Sequence, residues 1–335
     1  MEATPLQERA PTLMSTADQE KMSDSLKAVG TSWNTQDDPL TFTNISSILT
    51  ETDPRTKRSL ISLYSRIFDP MGWLTPFLMV PKLLFQELWA RGLDWDQSLD
   101  SDIAEAWETW KQELANMSHI EVHRWLLHGL SSVDKVELHG FRDASQRAYG
   151  SAVYLCAEDR QGNRVSNLVL AKSRVAPAKQ VTSPRLELLA AFITAKLINY
   201  IMEAPQIMTD AVYAWSDSQI APAWIKGPSS RWKVFVANRV QDIQERVAPS
   251  QWRFCPGNQN PADFLTRGIS ASQLKENELW WNGPQWLKQS CRHWPVCETL
   301  ERKDPECLVE ARKETKEVPH ASCFVCLPPV DESTP

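Results

Sequence analysis

Four carboxylates stand out in this sequence by the company they keep. Asp143 sits in Gly140-Phe141-Arg142-Asp143-Ala144-Ser145 and Glu187 in Pro184-Arg185-Leu186-Glu187-Leu188. Asp217 sits in Trp215-Ser216-Asp217-Ser218 and Asp263 in Asn260-Pro261-Ala262-Asp263. Hard divalent cations such as Mg²⁺ take their ligands from carboxylate and water oxygens. Two such ions side by side activate a water on one face of a phosphodiester and stabilise the leaving 3′ oxygen on the other. Four acids drawn from four separate elements can build that clamp for two Mg²⁺, or for Mn²⁺. Each acid also has a plainer reading. Asp143 can start a turn, Glu187 can favour a helix dipole, Asp217 can N-cap the next helix, and Asp263 fits a capping-box N3 position after Asn260.

What separates these readings is the set of elements that must position the acids. From Val136 onward the pattern is α/β: Val136 to Arg142, Ala148 to Cys156 and Arg164 to Arg174 read as strands, the last two flanking a turn at 159–163. Ser183 as N-cap and Pro184 at N1 open a helix running to about Met202. Ala211 to Ser216 is a strand, Gln219 to Lys226 a short helix, Arg231 to Arg246 a longer one, and Gln251 to Cys255 a last strand before a helix capped by Asn260 and Pro261. The order βββ-α-β-α-α-β-α predicts a mixed five-stranded sheet with an antiparallel first half. It puts Asp143 and Asp217 at the ends of two strands, and Glu187 and Asp263 in the first turns of two helices.

Upstream, residues 1–24 are polar and aperiodic, and read as disordered or as a remnant. Two short strands are expected between Leu26 and Ile45 around the turn 35–38. Helices follow: one capped by Asp53-Pro54 with Leu60, Leu63, Tyr64 and Ile67 on one face and a stop at Asp69-Pro70-Met71-Gly72, then Lys82 to Ala90 and Ile103 to Met117. Trp107 and Trp110 are assigned to the core. The chain therefore divides into 1–24, a mainly helical 25–130, an α/β unit over 136–268, and a spacer with a polar tail over 269–335.

Bulk properties set the class of partner. The 335 residues are 42% hydrophobic and 23% charged, with no apolar leader and no apolar run long enough for a membrane span, which points to an intracellular protein, cytoplasmic or nuclear rather than secreted. Seven scattered cysteines read as free thiols, with a lone C-x-x-C at Cys323 and Cys326. Net charge is −6, yet residues 141–268 hold 16 Lys/Arg against 10 Asp/Glu, leaving −12 for the remainder. A basic segment in an acidic chain marks the place to seek a phosphate-bearing partner. Lys172, Arg174, Lys179, Arg185, Arg231 and Lys233 are the candidate phosphate contacts, with Ser145 and Ser218 as hydroxyl donors beside the acids. For the basic residues a solvated face is the plain alternative, for the serines a turn cap, and for Trp232 core packing.

The run Asp143-Ala144-Ser145-Gln146-Arg147-Ala148-Tyr149-Gly150 resembles the opening of the RNase H domain in BEL/Pao-type LTR retrotransposon polyproteins. So do Lys172-Ser173-Arg174-Val175-Ala176-Pro177, Pro184 to Leu188, Trp215 to Ser218, and Pro256-Gly257 followed by Asn260 to Asp263, all in the family's order. On the flanks, Lys57 to Leu60, Phe68 to Gly72 and Gln86 to Trp89 are similar to the segment after the polymerase palm, Ser25 to Phe42 to the palm's end, and Leu279 to Leu287 to the spacer before integrase. The resemblance implies an RNase H-like fold preceded by a thumb/connection-like helical segment. It implies Mg²⁺-dependent cleavage of the RNA strand of RNA–DNA hybrids by the four acids, with a reverse transcriptase or the rest of a polyprotein as possible partner.

Two departures matter. No Tyr-x-Asp-Asp polymerase motif is present, so no polymerase activity is expected of this chain. Phe254-Cys255-Pro256-Gly257 stands where the family often has His-Val-Pro-Gly, and Asn258 lies where cellular RNases H carry a mobile histidine. Proton transfer then falls to water, which slows turnover. A catalytically idle binding module and a fragment with no function of its own are the competing readings.

Overall fold

A computed structural model describes residues 25–28, 31–34, 38–42, 55–117, 120–204, 208–296 and 308–312. Asp53-Pro54, the N-terminal 24 residues and Cys323 and Cys326 lie outside the described residues. Strands β1 (Ser25–Ala28), β2 (Thr31–Asn34) and β3 (Pro39–Phe42) form an antiparallel meander, one strand more than the sequence suggests. Helices α1 (Lys57–Tyr64), α2 (Thr75–Ala90) and α3 (Ser101–Met117) follow, and β4 (Glu121–His123) returns to pair with β3. Then come β5 (Lys135–Ala144), β6 (Ala148–Glu158), β7 (Arg164–Val175), α4 (Ser183–Met202), β8 (Ala211–Ser216), α5 (Ile220–Lys226), α6 (Val234–Gln244) and β9 (Trp252–Phe254). Short helices α7 (Phe264–Arg267), α8 (Ala271–Lys275) and α9 (Glu278–Asn282) close the series.

The large sheet has the order β7-β6-β5-β8-β9. The first three strands are antiparallel, and β8 and β9 join parallel. This is the expected mixed sheet, an RNase H-like fold. Its near-continuous apolar strands reflect burial on both faces. On one face α4, α5 and α6 enclose Leu138, Val153, Leu188, Ala191, Ile198, Trp224 and Val240. On the other, one cluster runs from Leu60, Leu74 and Trp107 of the helical segment through Phe141, Tyr154 and Trp215 of the sheet to Trp280, Trp286 and Trp294. The segment after 268 is thus packed against the sheet as far as Trp294.

Several local expectations shift. Helix α1 starts at a capping box on Thr56, whose hydroxyl accepts from Ser59 N while Ser59 Oγ accepts from Thr56 N, and it ends at Tyr64, before Ile67. Asp69 serves the next helix instead: its carboxylate accepts from Trp73 N at 2.9 Å and Leu74 N at 2.8 Å. Helix α2 begins at Thr75, seven residues early, because it runs through Pro81. Proline has no N–H to offer the carbonyl four residues back, and that carbonyl, Phe77 O, accepts instead from Trp110 Nε1 at 3.1 Å. At α4 the N-cap is Thr182 rather than Ser183, without a side-chain bond. The helix expected from Arg231 starts at Val234, after a 3₁₀ turn at Ser229–Arg231.

The helical segment docks on the outer strand β7 through backbone groups. Pairing of β6 with β7 slips at Val153/Tyr154, leaving Val169 as the extra residue of a bulge. Its carbonyl accepts from Trp73 Nε1 at 3.2 Å, and Ala171 N donates to Met71 O at 2.9 Å. Gly72, at φ +74°, is required there, since a Cβ would lie 1.9 Å from Ala171 O. Trp110→Phe keeps the ring stacked between Phe77 and Trp107 (centroids 5.0 and 4.9 Å) but strands the Phe77 carbonyl. A loss of about 1–3 kcal/mol in urea unfolding is expected; an unchanged midpoint would show that the carbonyl finds another donor.

Candidate metal centre

Because β5 and β8 are parallel neighbours, their C-terminal ends lie together, with Arg142 opposite Ser216. Asp143 is the penultimate residue of β5 and Asp217 directly follows β8. Glu187 is the fifth residue of α4, one position deeper than expected, and its carboxylate completes a trio. Asp143, Glu187 and Asp217 each offer an oxygen, all within 4.8 Å of one another. Asp263 ends the 3₁₀ turn Pro261–Asp263 and stands outside this trio. Its carboxylate pairs with Arg267 at 2.8 Å rather than turning back to Asn260 as a capping box would.

The plainer readings can now be checked. The N-cap of α5 is Gln219, so Asp217 is not spent there. Ser145, not Asp143, holds the β5–β6 turn: its hydroxyl accepts from Arg147 N at 3.2 Å and Ala148 N at 3.1 Å. Ser216 plays the same part after β8, accepting from Ser218 N at 3.0 Å. Trp232 is buried, its indole donating to Trp224 O at 3.1 Å.

Each wall of the site has a local cause. Asn260, buried, donates through Nδ2 to Arg142 O at 2.9 Å and accepts from Ala262 N at 3.2 Å, stitching the Asp263 turn to β5. Thr266, one turn on, donates to Asp143 Oδ2 at 2.6 Å and fixes that carboxylate. The loop at Gly257 closes on Asp217, and a Cβ there would sit in ordinary contact with Oδ2 at 3.4 Å. Phe254 and Asn258 flank this loop, Asn258 exposed. His139 stands four residues before Asp143 on β5, but it is wholly buried and accepts from Trp215 Nε1 at 3.1 Å.

Arg142 was missed as more than a charge. Strand alternation turns it to the face opposite Asp143, and its side chain is fully buried. Nη1 donates to the Glu187 main-chain oxygen at 2.9 Å and ion-pairs with the Glu187 carboxylate. Its Nε and Nη2 have no hydrogen-bond partner among the described residues, and the guanidinium stands 5.8 Å from the centre of the Trp252 ring. The signal available in the sequence was a basic residue at an inward strand position.

Burial pushes Asp143 up to about 6, reinforced by Asp217 and Asp263 and opposed by the Thr266 hydrogen bond. Burial likewise lifts Glu187 to about 7, with Arg142 opposing and Asp217 and Asp143 adding. Asp263 is raised by burial and Asp217, against Arg267. Carboxylates that hold protons for want of positive charge suit a cation that displaces them. Asp217 Oδ1, buried and without a hydrogen-bond partner among the described residues, is an acceptor in search of that charge. An all-oxygen set of this kind fits a hard divalent ion, although the Glu187–Arg142 pair must share Glu187 with it.

The candidate phosphate contacts divide. Lys172, Arg174 and Lys179 are exposed along and beyond the end of β7. The side chains of Arg185 and Lys233 are engaged by residues 309–310, whereas Arg231 meets Arg312 only through its main-chain oxygen and is exposed.

Strand order and acid placement together define an RNase H-like domain. Residues 56–218 match the family described as "Pao retrotransposon-like RNaseH-like domain". That stretch takes in the helical segment from α1 and the acids Asp143, Glu187 and Asp217. No curated protein matches the chain in sequence. Among solved structures, it is similar to the foamy viral protease-reverse transcriptase dRH in complex with ds DNA (15% identity, TM-score 0.42), covering 69% of this chain and 37% of that one. RNase H1 from the halophilic archaeon Halobacterium salinarum NRC-1 matches at 13% identity, 37% and 88% coverage and TM-score 0.25. LC11-RNase H1 in complex with an RNA/DNA hybrid matches at 12%, 38% and 88%, and 0.26. The chain thus spans little more than a third of the foamy viral chain. Among the described residues no helix is long and apolar enough to cross a membrane.

A raised folded-state carboxylate favours the native state most below its unfolded value and loses that advantage as pH rises through the folded one. For Asp143 and Glu187 the window runs from about pH 4 to about pH 7. Two outcomes follow. Stabilisation by Mn²⁺ or Mg²⁺, read as a Tm shift, grows from about pH 5 to about pH 8. Asp143→Asn stabilises the metal-free protein by about 2 kcal/mol at pH 8 while shrinking the metal response. A metal-induced shift independent of pH would contradict the first; a destabilised Asp143→Asn would contradict the second.

Proposed function

We propose that this chain is a divalent-metal-dependent RNase H that cleaves the RNA strand of RNA–DNA hybrids, working with two Mg²⁺ or with Mn²⁺. The observation that carries the reading is the convergence of Asp143, Glu187 and Asp217 at the open end of β5 and β8. Asp143, Glu187 and Asp217 would hold the metal, with Asp263 joining from the neighbouring turn. The bound metal would supply an activated water and charge stabilisation of the leaving 3′ oxygen. The protein's own residues do the positioning: Thr266 fixes Asp143, and Asn260 anchors the Asp263 turn to β5. Exposed Lys172, Arg174 and Lys179 would contact phosphates of a duplex recognised by shape and 2′-hydroxyls. Ser145 and Ser218, whose residues shape the turns beside the acids, add donors at the rim. Residues 25–130 are read as the end of a palm with a thumb/connection-like region, 136–268 as the nuclease and 269–335 as spacer and tail. A reverse transcriptase or the rest of a polyprotein is the natural partner, inside the cell.

One observation favours a second reading, an idle RNase H fold that binds without cutting. Arg142 already places a permanent positive charge on Glu187, which competes with a metal for that ligand.

Incubation with a labelled RNA–DNA hybrid in Mg²⁺ or Mn²⁺ separates the two. Cleavage is expected, and Glu187→Gln should lower it at least about 100-fold, since residues that merely orient ligands cost about 10–100-fold. Cleavage by Arg142→Ser but not by the unaltered chain would establish the idle reading. Failure of both folded proteins to cut would overturn the nuclease.

A further inference from the structure

Residues 308–312 lie against the ends of α4 and α6 through a compact set of polar contacts. Ala311 and Trp232 form an antiparallel bridge. Lys233 N donates to Glu310 O at 2.8 Å, Arg312 N to Arg231 O at 2.9 Å, and Arg312 Nε to Trp232 O at 2.8 Å. Lys233 Nζ donates to Val309 O at 2.7 Å. The centre of the contact is a two-pronged pair, Arg185 Nε and Nη2 to the two Glu310 carboxylate oxygens at 2.7 and 3.1 Å. Glu310 is only 6% exposed, although it belongs to a five-residue strap.

Arg185 is built to present its fork. Its guanidinium lies 4.8 Å from the centre of the Phe235 ring, on whose other contact Arg239 sits at 3.7 Å. It stands two residues before Glu187 near the start of α4, and residues two apart on a helix do not face each other, so this contact is separate from the carboxylate centre. A fork that takes a carboxylate through two parallel N–H groups takes a phosphate in the same way.

We propose that Arg185, Arg231 and Lys233 form a binding site for the phosphodiester backbone of a nucleic acid. In this structure residues 308–312 occupy the site, with the Glu310 carboxylate in the place of a phosphate, so strap and nucleic acid compete. The inference rests on the nucleic-acid reading of the α/β domain. The strap is suited to exchange because little apolar surface holds it: Leu308 is 47% and Val309 65% exposed, and Ala311 alone of its apolar residues packs on the core beneath. What remains is one isolated bridge and charge-assisted hydrogen bonds, which a polyanion offering several phosphates can replace.

The test uses the full chain and a fluorescent RNA–DNA hybrid followed by anisotropy over a salt series, in EDTA so that no cleavage intervenes. Glu310→Ala is expected to bind roughly five- to tenfold more tightly than the unaltered chain at low salt, because the competing anion is gone. Its log–log salt slope should steepen by about one to two, one released counterion per phosphate newly contacted. In an Arg185→Ala background Glu310→Ala should give no gain. Hybrid should also speed tryptic cleavage after Arg312, reporting release of the strap without any variant. Unchanged or weaker binding by folded Glu310→Ala, a gain that persists without Arg185, or protection of Arg312 by hybrid would each overturn the proposal. Tighter binding by Glu310→Ala without hybrid cleavage by any form would uphold this site and sink the nuclease. Cleavage with no effect of Glu310 would do the reverse.

Discussion

Three carboxylates whose oxygens lie within 4.8 Å repel one another, and much of this structure is arranged to hold them there. At an effective dielectric of about 20, each ionised pair at that distance costs on the order of 3 kcal/mol, a large share of a typical domain's net stability of about 5–15 kcal/mol. The fold resists by rigidity: two parallel strands deliver Asp143 and Asp217 side by side, and α4 packs along β5 and β6 to deliver Glu187. It also relieves the repulsion chemically. Two of the carboxylates are pushed toward their protonated forms, and a buried guanidinium lies on Glu187 from beneath. The same arrangement that makes the apo site uncomfortable makes it receptive to a divalent ion.

The sheet can be this rigid because both of its faces are covered. Helices α4 to α6 form one lid, and the other is shared by the upstream helical segment and the segment that follows Asp263. Indole N–H groups recur at the joints. Trp73 reaches the bulged Val169 carbonyl, Trp110 the carbonyl orphaned by Pro81, and Trp280 the Trp73 carbonyl at 2.9 Å. A tryptophan suits such a position because it buries a large apolar body while delivering one donor to a backbone group that would otherwise go unpaired.

The sheet, its mixed order and the strand-end acids were legible in the sequence, since alternating apolar runs and Pro-opened helices are local signals. Helix limits were less so. Pro81 reads as a breaker until a tryptophan nearly thirty residues away satisfies the exposed carbonyl, and no local pattern carries that information. For the candidate site, the convergence of Asp143, Glu187 and Asp217 was recoverable from position alone, while Asp263, expected as a fourth ligand, stands outside the trio and pairs with Arg267. Arg142 escaped because its significance depends on which face of β5 it takes and on how Glu187 projects from α4. Arg185, Arg231 and Lys233 were read from type and spacing, but the strap that meets them comes from about 80 to 125 residues downstream.

The docking of the helical segment on β7 also bears on how the molecule behaves among its own copies. An outer strand with unpaired N–H and C=O groups invites another strand to join it. Here that rim is bent by a bulge and closed by Met71, Trp73 and Gln86, which bonds to Ala176 O at 2.7 Å, while the opposite rim, β9, is only three residues long. Separating the α/β unit from the helices before it would bare both a sticky rim and a tryptophan-rich face. The upstream segment therefore serves as a built-in guard against sheet-to-sheet aggregation, whatever else it does.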